Sequence, residues 1–322
     1  MNPTTIKKRK DYLDYLKALS TILIVAHHVI TYTDMLSLHP FVLTFIDVNN
    51  CLHLPLFFCI AGYLCRKKNL KIYFKQKVER IIFPFITFSS LKIFYNQFIS
   101  DAYAHADTLG GQLFDAFIFG TLYWFIYAIF LMFTIAPLLW KSRRTNIFIF
   151  IFLIIANLYL GDPTFHYFQM GAAFFNGCFF VVGILIQQYE EELAIFVKKY
   201  NSIILTICSI IVSIATYLLY IRQIYFCFPV RIVLGFPLMY VVFTLSKKLP
   251  ENIQFLKTMG KYSLQIMFFD SFFKVLLFGI LTKLNLVTTV TSILTIPVNI
   301  FLSCISCMII KKIPLIRKFF GL

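Results

Sequence analysis

The chain reads as a series of apolar runs, each near 20 residues, separated by short polar connections. About 20 apolar residues make a helix long enough to cross a bilayer. Runs of this kind fall at roughly 13–32, 40–65, 81–100, 113–139, 146–160, 170–187, 202–221, 229–246, 262–282 and 287–310. The expected fold is therefore all-α, a polytopic transmembrane helical bundle with about ten spans. No linker, low-complexity tract or clear repeat divides the chain, so a single membrane-embedded domain over residues 1–322 is expected. The first run is too long, and too polar on one face, for a cleavable signal peptide, and another span follows closely.

Polar residues break this pattern in few places, and the first is the most informative. Lys7–Val29 reads KKRKDYLDYLKALSTILIVAHHV. Helical residues turn about 100° each, so Lys17 and His28, eleven positions apart, share a face within roughly 20°. They lie roughly 16 Å apart along the axis, about half the hydrocarbon core. Asp14 and Thr21 fall on the same side. Charged groups at such depth are costly, so the stripe is expected to face the bundle interior or a wet cavity.

Composition agrees with the pattern. Only 14% of residues are charged, against about 25% in soluble domains. The net charge of +16 is not a nucleic-acid footprint, because its distribution follows the positive-inside rule. With the N-terminus inside, 24 of the 30 Lys and Arg fall in inner segments. Arg222, Arg231 and Lys283 are counted outside, and Lys17, Lys92 and Lys274 lie within spans. Both termini are then expected to be cytoplasmic, with an even number of spans in the cell membrane. The connection 66–80, RKKNLKIYFKQKVER, could rest on an anionic leaflet as an interfacial helix.

Histidine is the usual general base near neutral pH. His27, His28 and His53 lie within spans; His39, His105 and His166 fall in predicted outer loops. His28 shares its face with Lys17 and Asp14, whereas His27 points about 100° away. His53 opens a second element, HLPLFFCIAGY, in which Pro55 is expected to interrupt the span and Ala61–Gly62 to permit close helix approach. Asp47, Asn49 and Asn50, on the outer side of that span, could bind a polar substrate. Lys75, Lys77 and Arg80 form a third element ahead of Pro84, where basic groups at an inner helix start can complement phosphates. Asp270 and Lys274 are spaced to pair along their own helix, or to form a site. Cys304 and Cys307 read as small residues one turn apart, and no metal is expected.

These elements together resemble membrane-bound acyltransferase family 3, close to its fucose 4-O-acetylase-like branch. Asp14, Lys17 and His28 are similar to the family's opening motif, in which Arg is common at the position of Lys17. HLPLFFCIAGY resembles its second motif, FKQKVERIIFPF its third-span opening, LYWFIYAIFLMF around Trp124 its Trp-Phe motif, and GKYSLQIMFFD its late Gly-x-x-Ser-Leu motif. The matches run in family order across most of the chain. The late motif often ends in His, where this chain has Asp270. No fused esterase-like domain follows, so transfer is expected to finish within the membrane domain.

The resemblance implies O-acyl transfer from cytoplasmic acyl-CoA, acetyl-CoA first, to a sugar hydroxyl of a surface polysaccharide or its lipid-linked precursor. It implies His28 as general base or acyl carrier, Asp14 orienting the first span, and His53 polarising or positioning a reacting group. Lys17, Lys77 and Arg80 would meet the donor phosphates, with Lys17 alternatively holding Asp14; Asn49, Asn50 and Trp124 would meet the acceptor. Expected partners are a glycan or lipid-linked sugar and membrane lipid. A transporter of a glycan intermediate or small polar metabolite is the rival, since it would also use Lys92, Asp270 and Lys274. A purely structural subunit gives no reason to bury His and Lys on one stripe.

Overall fold

The computed structural model describes residues 10–33, 39–98, 108–140, 142–160 and 167–322, all its regular structure helical. His105, His166, Lys7 to Arg9 and Lys141 lie outside the described residues. In chain order the helices are α1 (Asp11–Tyr32), α2 (Pro40–Tyr63), α3 (Leu70–Lys77), α4 (Phe83–Phe98), α5 (Leu109–Phe114), α6 (Trp124–Leu139) and α7 (Arg143–Leu160). They continue with α8 (Met170–Gln188), α9 (Glu190–Tyr220), α10 (Phe228–Lys248), α11 (Gln254–Lys261), α12 (Ser263–Lys283), α13 (Thr289–Lys311) and α14 (Pro314–Arg317). Nine stretches among the described residues are long and apolar enough to cross a membrane, α5–α6 counting as one. The expected span 81–100 is α4, which runs to the edge of the described residues. The chain is thus an all-α, multi-pass membrane bundle of about ten spans.

Three departures from the expected spans have local causes. Pro55 does not interrupt α2, which continues to Tyr63. Proline cannot bond the carbonyl four residues back, which here is that of Cys51, and α10 covers it. A Cβ on Gly235 would lie 2.6 Å from Cys51 O. The run 113–139 is broken instead: a π turn over Asp115–Phe119 ends at Gly120 (φ 70°), and α6 begins only at Trp124. Only glycine adopts that left-handed conformation without cost. The basic run before the third span is already helical, since α3 joins α4 through a π turn over Val78–Ile82.

One end of the bundle gathers the basic connections. Lys10 is ion-paired with Glu190, and both meet the Tyr63 hydroxyl at 3.0 Å. Asp11 pairs with Lys257 at 3.0 Å, and Arg143 with Glu192 at 2.7 Å. We call this the basic end. At 31 residues, α9 is about 46 Å long and exceeds the roughly 30 Å hydrocarbon core. Together with α7 it leaves many apolar side chains exposed, as lipid-facing helices do. At the opposite end Arg222 pairs with Asp47 at 2.8 Å. Arg231, expected outside, is instead buried in α10, donating to Asn176 Oδ1 at 2.6 Å and lying 4.6 Å from the Phe175 ring.

The core depends on close backbone approach, because lipid supplies no hydrophobic force between helices. A Cβ on Gly62 would sit 2.0 Å from Phe180 O, and one on Gly183 2.0 Å from Cys59 O. These reciprocal contacts lock α2 against α8. Gly260 of α11 meets α1 similarly, where its Cβ would fall 2.1 Å from Asp14 O. The late glycine motif is thereby seated on the opening motif.

Gly62→Ala and Gly183→Ala should each destabilise the detergent-purified protein by about 1–3 kcal/mol, seen as a lower thermal unfolding midpoint. Gly279→Ala, where a Cβ meets nothing within 4 Å, should leave the midpoint unchanged apart from a small helix-propensity gain.

Candidate active site

At the basic end, α1, α2, α3 and α6 enclose a cavity of about 300 Å³. Lys17, Arg66, Lys68, Lys77 and Arg80 line it, with no carboxylate among the lining residues. Its other wall is apolar, formed by Phe57, Ile60, Ala61, Leu64, Ile129 and Phe133. Lys17 also bonds Asp14 Oδ1 at 2.7 Å, the second of the two alternatives for this lysine. Asp14 is 2% exposed beneath it. Lys77 Nζ lies 3.3 Å from the Phe133 ring centroid. Burial drives its pKa down to about 8, and the neighbouring charges of Lys68 and Arg80 add to this. Five cations facing one cavity suit a polyphosphate, and the apolar wall suits a carbon chain attached to it.

Deeper in the bundle, α1, α12 and α13 meet at a buried carboxylate. Asp270 is 1% exposed. Its Oδ2 is 2.6 Å from His28 Nδ1, and its Oδ1 accepts from Asn299 Nδ2 at 2.7 Å. Ser303 Oγ donates to Asn299 Oδ1 at 3.3 Å, fixing the amide. With Nδ1–H donated to the carboxylate, His28 keeps Nε2 as a basic nitrogen. Its side chain remains 40% exposed. A carboxylate that orients an imidazole and stabilises its protonated form is the logic of an acid–base dyad.

Two more imidazoles adjoin the dyad. The His27 ring centroid lies 6.1 Å from that of His28 and 5.3 Å from that of His53. His27 therefore turns away from the stripe, as its position implies, but towards α2. His53 donates from Nδ1 to Asn49 O at 2.6 Å and is 4% exposed. Phe57 of the cavity wall is one helical turn from His53, about 6 Å towards the basic end. The cavity and the dyad are thus joined by a chain of neighbouring side chains.

The remaining sequence candidates are placed differently. Asn49 is 3% exposed and donates to Leu23 O at 2.9 Å, tying α2 to α1. Asn50 is half-buried. Trp124 opens α6, 6.3 Å from the Phe125 ring, and does not line the cavity. Its neighbour Tyr123 reaches Ser271, the residue after Asp270, at 2.9 Å. Of the two readings of Asp270 and Lys274, the pairing along their own helix is not the one seen: the carboxylate oxygens bond His28 and Asn299 of other helices. Sequence reasoning missed Asn299 as a partner of Asp270, and Arg66 and Lys68 as part of the basic cavity. Asn299 carried a signal, being one of the few amides inside an apolar run; the two cations were indistinguishable from ordinary inner-loop charge.

Residues 10–312 match the family described as the acyltransferase domain, acyltransferase family 3. No curated protein and no solved structure matches the chain.

The depressed Lys77 pKa gives a signed expectation. An anion in the cavity restores the ammonium, so binding recruits a proton once the free lysine has lost its own. Affinity for sulfate, whose own charge is constant across this range, should be flat below pH 8 and fall between about pH 8 and 10.5, by up to about tenfold per pH unit. Lys77→Arg should remove most of that decline in equilibrium binding. Folding stability in the absence of anion should rise over the same interval, because the unfolded lysine still holds its proton there.

Proposed function

This chain belongs to acyltransferase family 3, and from that premise we propose that it is an O-acyltransferase of the cell membrane. It takes an acyl group, acetyl first, from cytoplasmic acyl-CoA and passes it to a sugar hydroxyl of a surface polysaccharide or its lipid-linked precursor. The observation that carries the reading is the pairing of one exposed imidazole with a buried carboxylate, above a cavity lined by five cations and no acid. The basic end faces the cytoplasm in this reading, as the positive-inside distribution requires.

The donor's phosphates bind Lys17, Arg66, Lys68, Lys77 and Arg80. Its flexible pantetheine arm lies on the apolar wall and carries the thioester up the roughly 16 Å between Lys17 and His28. His28 Nε2 takes the proton from the acceptor hydroxyl as its oxygen attacks the thioester carbonyl. The carbon–sulfur bond breaks, the sulfur leaves with the proton held by the imidazolium, and an ester and free CoA result. Asp270 holds the tautomer and stabilises the imidazolium, while Asn299 keeps the carboxylate in place. His53 and His27 pack beside His28 as positioning residues. Asn50 lies on the acceptor side of α2, whereas Asn49 holds α1 in register. Asp14 fixes Lys17 at the mouth of the cavity, and Trp124 supports the α6 wall from outside the cavity.

Purified protein in lipid, given labelled acetyl-CoA and cell-derived glycan, should transfer label to the glycan. His28→Ala should abolish transfer, and Asp270→Asn should lower its rate about 10²–10⁴-fold with little change in donor binding. Unchanged transfer by His28→Ala would remove the imidazole from the mechanism. A wild-type protein that ignores acetyl-CoA would point to transport instead.

A further inference from the structure

Two cations beside the dyad have no part in the chemistry described so far. Lys274 lies one turn beyond Asp270 on α12, about 6 Å further from the basic cavity than Asp270 is. Its Nζ is 5.1 Å from the Tyr32 ring, at the far end of α1. Lys92 comes from α4, with Nζ 5.6 Å from the Phe272 ring and 5.5 Å from that of Tyr95. The Tyr95 contact lies on its own helix. Phe272, which Lys92 reaches, is two residues before Lys274 on α12, so both ammonium groups lie beside the same stretch of that helix. Both are half-buried.

Neither lysine forms an ion pair among the described residues. The hydrogen bonds of Asp270 go to His28 and Asn299 instead, one from each carboxylate oxygen. Ammonium groups held within the bundle lose hydration, which an anionic partner would offset. Such groups inside a membrane bundle mark a ligand site by default. A neutral sugar would leave that charge uncompensated; an acid would neutralise it. Each lysine has aromatic rings beside it, Tyr32 at Lys274 and Tyr95 with Phe272 at Lys92, and these offer faces on which a sugar can stack.

We propose that Lys92 and Lys274 bind an acid group carried by the acceptor, so that the substrate is an anionic sugar: a phosphorylated or lipid-diphosphate-linked sugar, or a uronic acid. The acid sits on the side of His28 away from the donor cavity and holds the neighbouring hydroxyl towards Nε2. The role of this ligand as acceptor rests on the acyl-transfer reading; the anion site does not.

The test is equilibrium binding to the full chain in lipid nanodiscs of three labelled probes: glucose-1-phosphate, methyl glucuronide and methyl glucoside. At least one acid-bearing sugar should bind about tenfold more tightly than the glucoside. That preference should vanish in Lys92→Gln/Lys274→Gln, weaken in each single variant and survive in Lys92→Arg/Lys274→Arg. Tighter binding of the phosphate identifies a phosphorylated acceptor, and of the glucuronide an acidic sugar. Equal binding of all three probes by the wild type, or a preference that the double Gln variant keeps, overturns the proposal. CoA binding in the same samples tests the parent reading separately: protein that prefers the acids yet ignores CoA refutes acyl transfer and upholds the anion site.

Discussion

A carboxylate almost fully excluded from solvent in a membrane bundle has to be answered by donors, or its burial would cost several kcal/mol. Asp270 is answered twice, by His28 from α1 and by Asn299 from α13. Those two bonds join α1 to the consecutive helices α12 and α13, far from it in sequence, and set the azimuth of α1 about its own axis. Once that azimuth is set, Lys17, three turns below, points at the basic cavity, with Asp14 bonded to it from beneath. The two halves of the site are therefore parts of one rigid element rather than independent pockets.

The first helix acts as a ruler. In the proposed reaction, a donor that is anionic at one end and reactive at the other is held by its phosphates at the basic end and by its thioester near mid-bundle. The apolar wall between, from Leu64 up to Phe57 and then His53, offers the uncharged middle of such a molecule a surface without competing hydrogen bonds. Glycines seat this ruler: Gly260 brings α11 against the Asp14 backbone, and Gly62 with Gly183 draws α8 onto the helix that carries His53. A larger residue at those positions would displace the imidazoles without touching them.

Much of this was legible in the sequence because it is written in local spacing. The spans follow from runs of apolar residues, and the common face of Asp14, Lys17 and His28 follows from helical geometry. What was not legible is tertiary. His28 and Asp270 are 242 positions apart, and nothing local distinguishes a carboxylate aimed at α1 from one aimed at Lys274 a turn away. Pro55 reads as a break, yet the carbonyl it frees is covered by Gly235, a compensation visible only once α10 is in place. Trp124 reads as mid-span, yet Gly120 ends the preceding helix and leaves it at an N-terminus. Asp270 stands where related motifs often end in His, and its place opposite His28 gives that departure a physical sense: the imidazole gains a carboxylate partner.

The most direct measurement is a double-mutant cycle on single-turnover acyl transfer, using His28→Asn, Asp270→Asn and the double variant in nanodiscs loaded with acetyl-CoA. If the carboxylate acts through the imidazole, the double variant should be no slower than His28→Asn alone. Losses that multiply, with Asp270→Asn slowing a protein that already lacks the imidazole by the same factor, would contradict the account.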